Sequence, residues 1–179
     1  MDYLKILHEN PDLADEFDSL FDFFLLDELS PRDDAEGRCT FSLPGMAFAR
    51  DGSGGEYHLL EDGSIGYYSS EGEAGRLAES MDDLFSLLVS CICWHDCCDA
   101  KQYVDSKTLE EYGQRQRNTN LEDMDSLRRV SDALGIPTGE PLAPVLERFR
   151  KATQREPLYQ CIFHEDDGSL TESYGLMFE

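Results

Sequence analysis

Five residues within eight positions, Cys91, Cys93, His95, Cys97 and Cys98, form the densest set of chemically competent side chains in the sequence. At about 100° per residue on a helix, Cys91, His95 and Cys98 share one face within roughly 60°. Three soft or borderline ligands so placed hold zinc when a fourth arrives from elsewhere, here Cys39 or Cys161. A thiol one turn from an imidazole is also the beginning of a nucleophilic pair. Against both readings, the same face continues the Leu84 and Leu88 stripe, and a buried cysteine packs as a small hydrophobe. There is no C-x-x-C pair. Core packing is the favoured reading, and a metal- or thiol-dependent protein built on Cys91, His95 and Cys98 is the last alternative.

Other candidate chemistry is weaker still. The glycine-rich segment from Gly52 to Gly55 lacks the spacing and lysine of a phosphate loop and reads as a β-turn. The acidic run from Glu165 to Gly168 lacks the alternating carboxylates of an EF-hand. His58 and His164 fall on strands, and no spacing selects one carboxylate pair for acid–base work among 38 acidic residues. The reading is a non-enzyme with no cofactor and no metal.

The elements that would position such residues centre on Met46 to Val89. Asp51 to Gly55 supplies a turn, and Tyr57 to Leu60 and Ser64 to Tyr68 are joined by Glu61-Asp62-Gly63, a hairpin signal. Cys39 to Leu43, Met46 to Arg50 and Ala74 to Ala78 add short strands. Ser80 with Asp83 three residues on marks a capped helix start, and the Leu84, Leu87, Leu88, Cys91 stripe carries the helix towards Cys98. Upstream, Leu13, Phe17, Leu20, Phe21, Phe24 and Leu25 recur at helical spacing and predict one amphipathic helix from Pro11 to Leu29. Ser30 to Arg38 reads as a loop. Downstream, helices are expected over Ser106 to Arg115, Leu121 to Leu134 and Pro141 to Ala152, then a second hairpin from Leu158 to His164 and Leu170 to Phe178. The expected fold class is α+β, a mostly antiparallel sheet of about 4–6 strands flanked by helices. One domain is expected over residues 1–179, with a motif-bearing core at 39–98 and a helical and hairpin extension at 99–179.

Fifteen Lys and Arg against 38 Asp and Glu give a net charge of −23. Residues 1–100 contribute −18 of it. Such a field repels nucleic acid and anionic membranes and favours a basic protein partner. No segment reads as a signal peptide or a membrane span, so the expectation is a cytoplasmic chain with reduced thiols. Oligomeric state is left open.

Ala49 to Leu60, ARDGSGGEYHLL, with Gly63 to Tyr68 and then Leu77-Ala78-Glu79-Ser80-Met81-Asp82-Asp83-Leu84-Phe85, resembles the SMI1/KNR4 (SUKH) superfamily. Members carry a polar glycine turn, a strand with glycine ahead of an aromatic pair, and a "vA.sf.efl" phrase leading into a helix. Their N-terminal proline and tyrosine phrase has no counterpart between Met1 and Arg38, and the region after Cys98 aligns with nothing in the pattern. The resemblance implies an intracellular protein-binding protein of the bacterial immunity-protein kind, neutralising a cognate toxin that is often a nuclease. The alternative it implies is a regulatory adaptor. Candidate contacts for the basic partner are the acids at turns beside the sheet, Asp51, Glu56, Glu61 and Asp62, together with Asp33 and Asp34.

Overall fold

A computed structural model describes residues 1–32, 38–165, 169–173 and 177–178, with residues 170–173 described by backbone alone. The chain opens with α1 (Tyr3–Glu9) and α2 (Pro11–Phe21), which share Asn10 as the cap between them. Pro11 at the first helical position is preset for helix and gives up an N–H that would be unsatisfied there. The single helix expected to Leu29 stops at Asp22, in the left-handed region at φ 51°, its N–H donating to the Asp18 carbonyl. Phe24–Ser30 then forms strand β1, not helix. Among non-glycine residues Asp and Asn tolerate this backbone best, so the chain reverses direction there without glycine.

The main sheet is antiparallel throughout, with strand order β1-β3-β4-β5-β6. Its meander consists of β3 (Gly45–Arg50), β4 (Glu56–Leu60), β5 (Ile65–Tyr68) and β6 (Ala74–Ala78), where the local signals place strands. Gly63, at φ 83°, supplies the positive φ that the β4–β5 turn requires. The second sheet has order β2-β7-β8, from β2 (Cys39–Phe41), β7 (Cys161–His164) and β8 (Leu170–Ser173). Its last two strands realise the expected second hairpin, whose turn residues 166–168 lie outside the described residues. Its first strand pairs with a segment some 120 residues away, Phe41 facing Cys161.

Helices α3 (Met81–Cys91), α4 (Ser106–Asn120), α5 (Met124–Leu134) and α6 (Leu142–Thr153) complete the architecture. The Ser80 hydroxyl accepts the Asp83 N–H at 3.2 Å, and Asp105 and Asp123 cap α4 and α5 in the same manner. Gly135 closes α5 at φ 65°. One face of the main sheet packs on helices around Phe17, Phe23, Phe48, Tyr57, Phe85 and Trp94, all buried. The opposite face, with Leu60, Tyr68 and Ala74, packs beneath Cys39 and Cys161 of the second sheet and Tyr159 just before β7. Covered on both sides, β4, β5 and β6 lose the polar alternation of a half-exposed strand. The fold is α+β. Among the described residues no helix is long and apolar enough to cross a membrane.

Candidate protein-binding surface

The structure dismantles the expected helical face at the cysteines. Helix α3 ends at Cys91, because Ile92 takes φ 66° and ψ −67° and the Cys93 N–H donates back to the Cys91 carbonyl at 2.9 Å. This is a γ-turn of the strained, positive-φ kind, on a β-branched residue that rarely adopts it. A short 3-10 turn, His95–Cys97, follows, so Cys91, His95 and Cys98 do not lie along one helix. Among the described residues no three His, Cys, Asp or Glu side chains converge as a metal site. All six cysteines are free thiols. The neighbouring Cys97 thiol and burial push Cys91 up, burial raises Cys93, and burial above all lifts Cys98 to about 12. A thiol so held is protonated at neutral pH and is a poor nucleophile.

Two of the six candidate acids are internal. Asp51 is buried; its Oδ1 accepts the Ser53 and Gly55 amides at 2.9 and 2.7 Å and the Ser53 hydroxyl at 2.8 Å. Its Oδ2 accepts the Tyr67 hydroxyl at 2.5 Å, and Tyr67 in turn lies 3.2 Å from His95 Nε2. Burial works against the charge, yet the Tyr67, Ser53 and Gly55 donors hold this carboxyl below its ordinary value. Gly55 is required at this spot, since a Cβ would sit 2.1 Å from the Tyr67 hydroxyl.

Glu56 is equally internal. In a strand, residues two apart share a face, so Glu56 and His58 lie together on β4. His58 Nε2 is 3.1 Å from Glu56 Oε2, His58 Nδ1 is 2.5 Å from the Tyr159 hydroxyl, and Arg32 Nη1 is 3.3 Å from that hydroxyl. Arg50 donates to Glu56 Oε1 at 2.8 and 3.0 Å. Because a carboxylate only accepts, His58 donates from Nε2 and accepts at Nδ1, and the network runs in one direction from Arg32 through Tyr159 and His58 to Glu56. Burial depresses the His58 imidazole and keeps it neutral. Its role is to clamp the second sheet to the first. Asp51 and Glu56 are therefore corrected from partner contacts to interior structure. The sequence signal for this was the Glu-x-His spacing on a strand covered on both faces.

The remaining acids divide differently. Glu61 and Asp62 are exposed at the β4–β5 turn. Asp62 is already engaged by the Ser64 amide at 3.0 Å and by Arg155, so only Glu61 offers its charge undivided. Asp33 and Asp34 lie outside the described residues. A richer acidic surface is formed by α2 and β1. Residues 6–31 contain eight acids and no Lys or Arg. Asp12, Asp15, Asp22, Asp27 and Glu28 are exposed. Glu16 is paired, with Arg129 of α5. Burial first, then the like charges of Asp22 and Asp15, hold the Asp18 carboxyl above its ordinary value. Only like charges appear among the neighbouring charged groups that shift Asp18.

Comparison with protein-family models, curated proteins and solved structures found no match.

Proposed function

We propose that this protein binds a basic protein partner, and that it acts as an immunity protein neutralising a cognate toxin domain. The observation that carries the reading is the α2–β1 surface, where residues 11–30 hold seven acids and no Lys or Arg, with Glu16 paired to Arg129 of α5. A field of one sign speeds encounter with an oppositely charged partner and disfavours wrong ones. A nuclease must be basic where it holds nucleic acid, so an acidic protein competes with the phosphate backbone for that surface. The SUKH-like phrase from Ala49 to Phe85 supports the same reading. The runner-up, a regulatory adaptor, would use the same surface on a housekeeping partner.

The test is co-expression with the product of the adjacent reading frame. The immunity reading expects a stable complex and rescue of growth. A complex without toxicity would favour the adaptor, and the absence of both would overturn the immunity reading.

A further inference from the structure

We infer that the free edge of the main sheet, strand β1 with its neighbour β3, is the contact itself and takes a basic amphipathic segment by side-chain docking rather than by strand addition. The inference rests on the reading of this protein as a binder of basic proteins. Leu25 faces Ala49 and Ser30 faces Ala47, so five steps along β1 are set against two along β3. Residues Leu26 to Leu29 therefore leave the ladder as a bulge, which re-aims their side chains and spoils the edge as a template for a further strand. Among the described residues β1 has no strand beyond it.

What the bulge displays is not a neutral surface. Six large apolar side chains are exposed among the described residues, and three of them, Phe24 at 45%, Leu29 at 49% and Met46 at 38%, belong to these two adjacent strands. Phe24, paired with Arg50, lies at one end of the strand pair on the side of the second sheet, whereas Leu29 and Met46 adjoin the paired Ser30 and Ala47 at the other end. Asp27 and Glu28 stand between Phe24 and Leu29 in sequence and are exposed as well. Single exposed apolar residues are ordinary on any protein, whereas two on adjacent strands at the same end of a sheet edge, Leu29 and Met46, with Asp27 and Glu28 immediately before Leu29, have the composition of a binding patch. The charge selects the occupant. A second copy of this chain would bring Asp27 and Glu28 against the same acids, so self-pairing is repelled. A segment carrying Lys or Arg on one side of interleaved apolar residues satisfies both the acids and the anchors. The Asp12, Asp15, Asp18 and Asp22 ridge of α2, immediately before β1, extends the attraction outward.

The test uses the full chain and two synthetic probes, a lysine/leucine peptide patterned as an amphipathic helix and polylysine of the same length. Three variants are compared: Leu29→Lys; Asp27→Lys with Glu28→Lys; and, as a control with an identical change in charge, Asp132→Lys with Glu140→Lys on the exposed surface of the C-terminal half. Circular dichroism establishes that each is folded. The lysine/leucine peptide is expected to bind more tightly than polylysine, and Leu29→Lys and the β1 double variant to weaken it about tenfold, the loss of one anchor, while the control stays nearer wild type. Equal weakening by both double variants would show that only the distant field acts and would overturn β1 as the contact, leaving the basic-partner reading standing. Failure of both cationic probes to bind at low salt would overturn that reading itself.

Discussion

Replacing Tyr159 by Phe isolates one atom of the interior network and should be costly for a definite reason. The ring stays, so its stacking on Phe41 at 6.0 Å and its packing over Gly66 are unchanged and no cavity opens. The hydroxyl alone is lost. Arg32 keeps the Leu43 carbonyl at 2.6 Å, but His58 Nδ1, in a side chain with no exposed surface, loses its donor. A buried acceptor left unpaired costs about 1–3 kcal/mol, and the middle of that range, about 2 kcal/mol, is the expectation here. For a protein of this size each kcal/mol lowers Tm by about 2–4 °C, so the variant should melt roughly 4–8 °C below wild type. Urea unfolding and calorimetry measure both quantities. A change below about 0.5 kcal/mol, the range of an ordinary surface substitution, would refute the reasoning. The Tyr159–His58 bond would then not be clamping the second sheet to the first.

Three further outcomes follow from the same geometry. Gly66→Ala would place a Cβ 2.7 Å from the Tyr159 ring, against rigid atoms that cannot swing away, and should destabilise by about 1–3 kcal/mol in urea titrations. Because burial depresses His58, the folded state binds its proton less readily than the unfolded chain; this part of the stability is fully present above the unfolded value of 6.5 and is lost as pH falls from there towards the folded value. The urea midpoint should drop over that interval, and His58→Phe should flatten the drop. Cys91, Cys93 and Cys98, whose thiols are held above their ordinary value, should react slowly with a disulfide reagent at neutral pH and rapidly once unfolded. Fast reaction of the native chain would contradict the inert environment assigned to them.

The meander was legible in the sequence because its signals are local. Asp51 to Gly55, Gly63, the Ser80–Asp83 cap and Gly135 each determine one turn through the backbone of a few residues, and the structure places each of them as expected. Periodicity overran twice, for the same physical reason. Phe24 and Leu25 continue the 3–4 spacing of α2, and Cys91 to Cys98 continues that of α3, yet in neither place does a glycine or proline announce the break. The chain stops instead on Asp22 and Ile92, non-glycine residues at positive φ. The pairing of Cys39–Phe41 with Cys161–His164 is too remote for any local pattern to reveal. The candidate acids suffered from the same limit. Turn position suggested exposure for Asp51, but the hydroxyl of Tyr67 comes from another strand to bury it. The acidic surface that replaces it lay inside the segment read as one continuous helix.

The central claim is that α2 and β1 present an acidic face to a basic protein. Its most direct test is the association rate of the chain with the product of the adjacent reading frame, measured from low to high salt for wild type and for the Asp27→Lys, Glu28→Lys variant. The account predicts a rate that falls steeply with salt and a variant that is slower at low salt and converges on wild type at high salt. A rate indifferent to salt, or a variant indistinguishable from wild type at low salt, would contradict it.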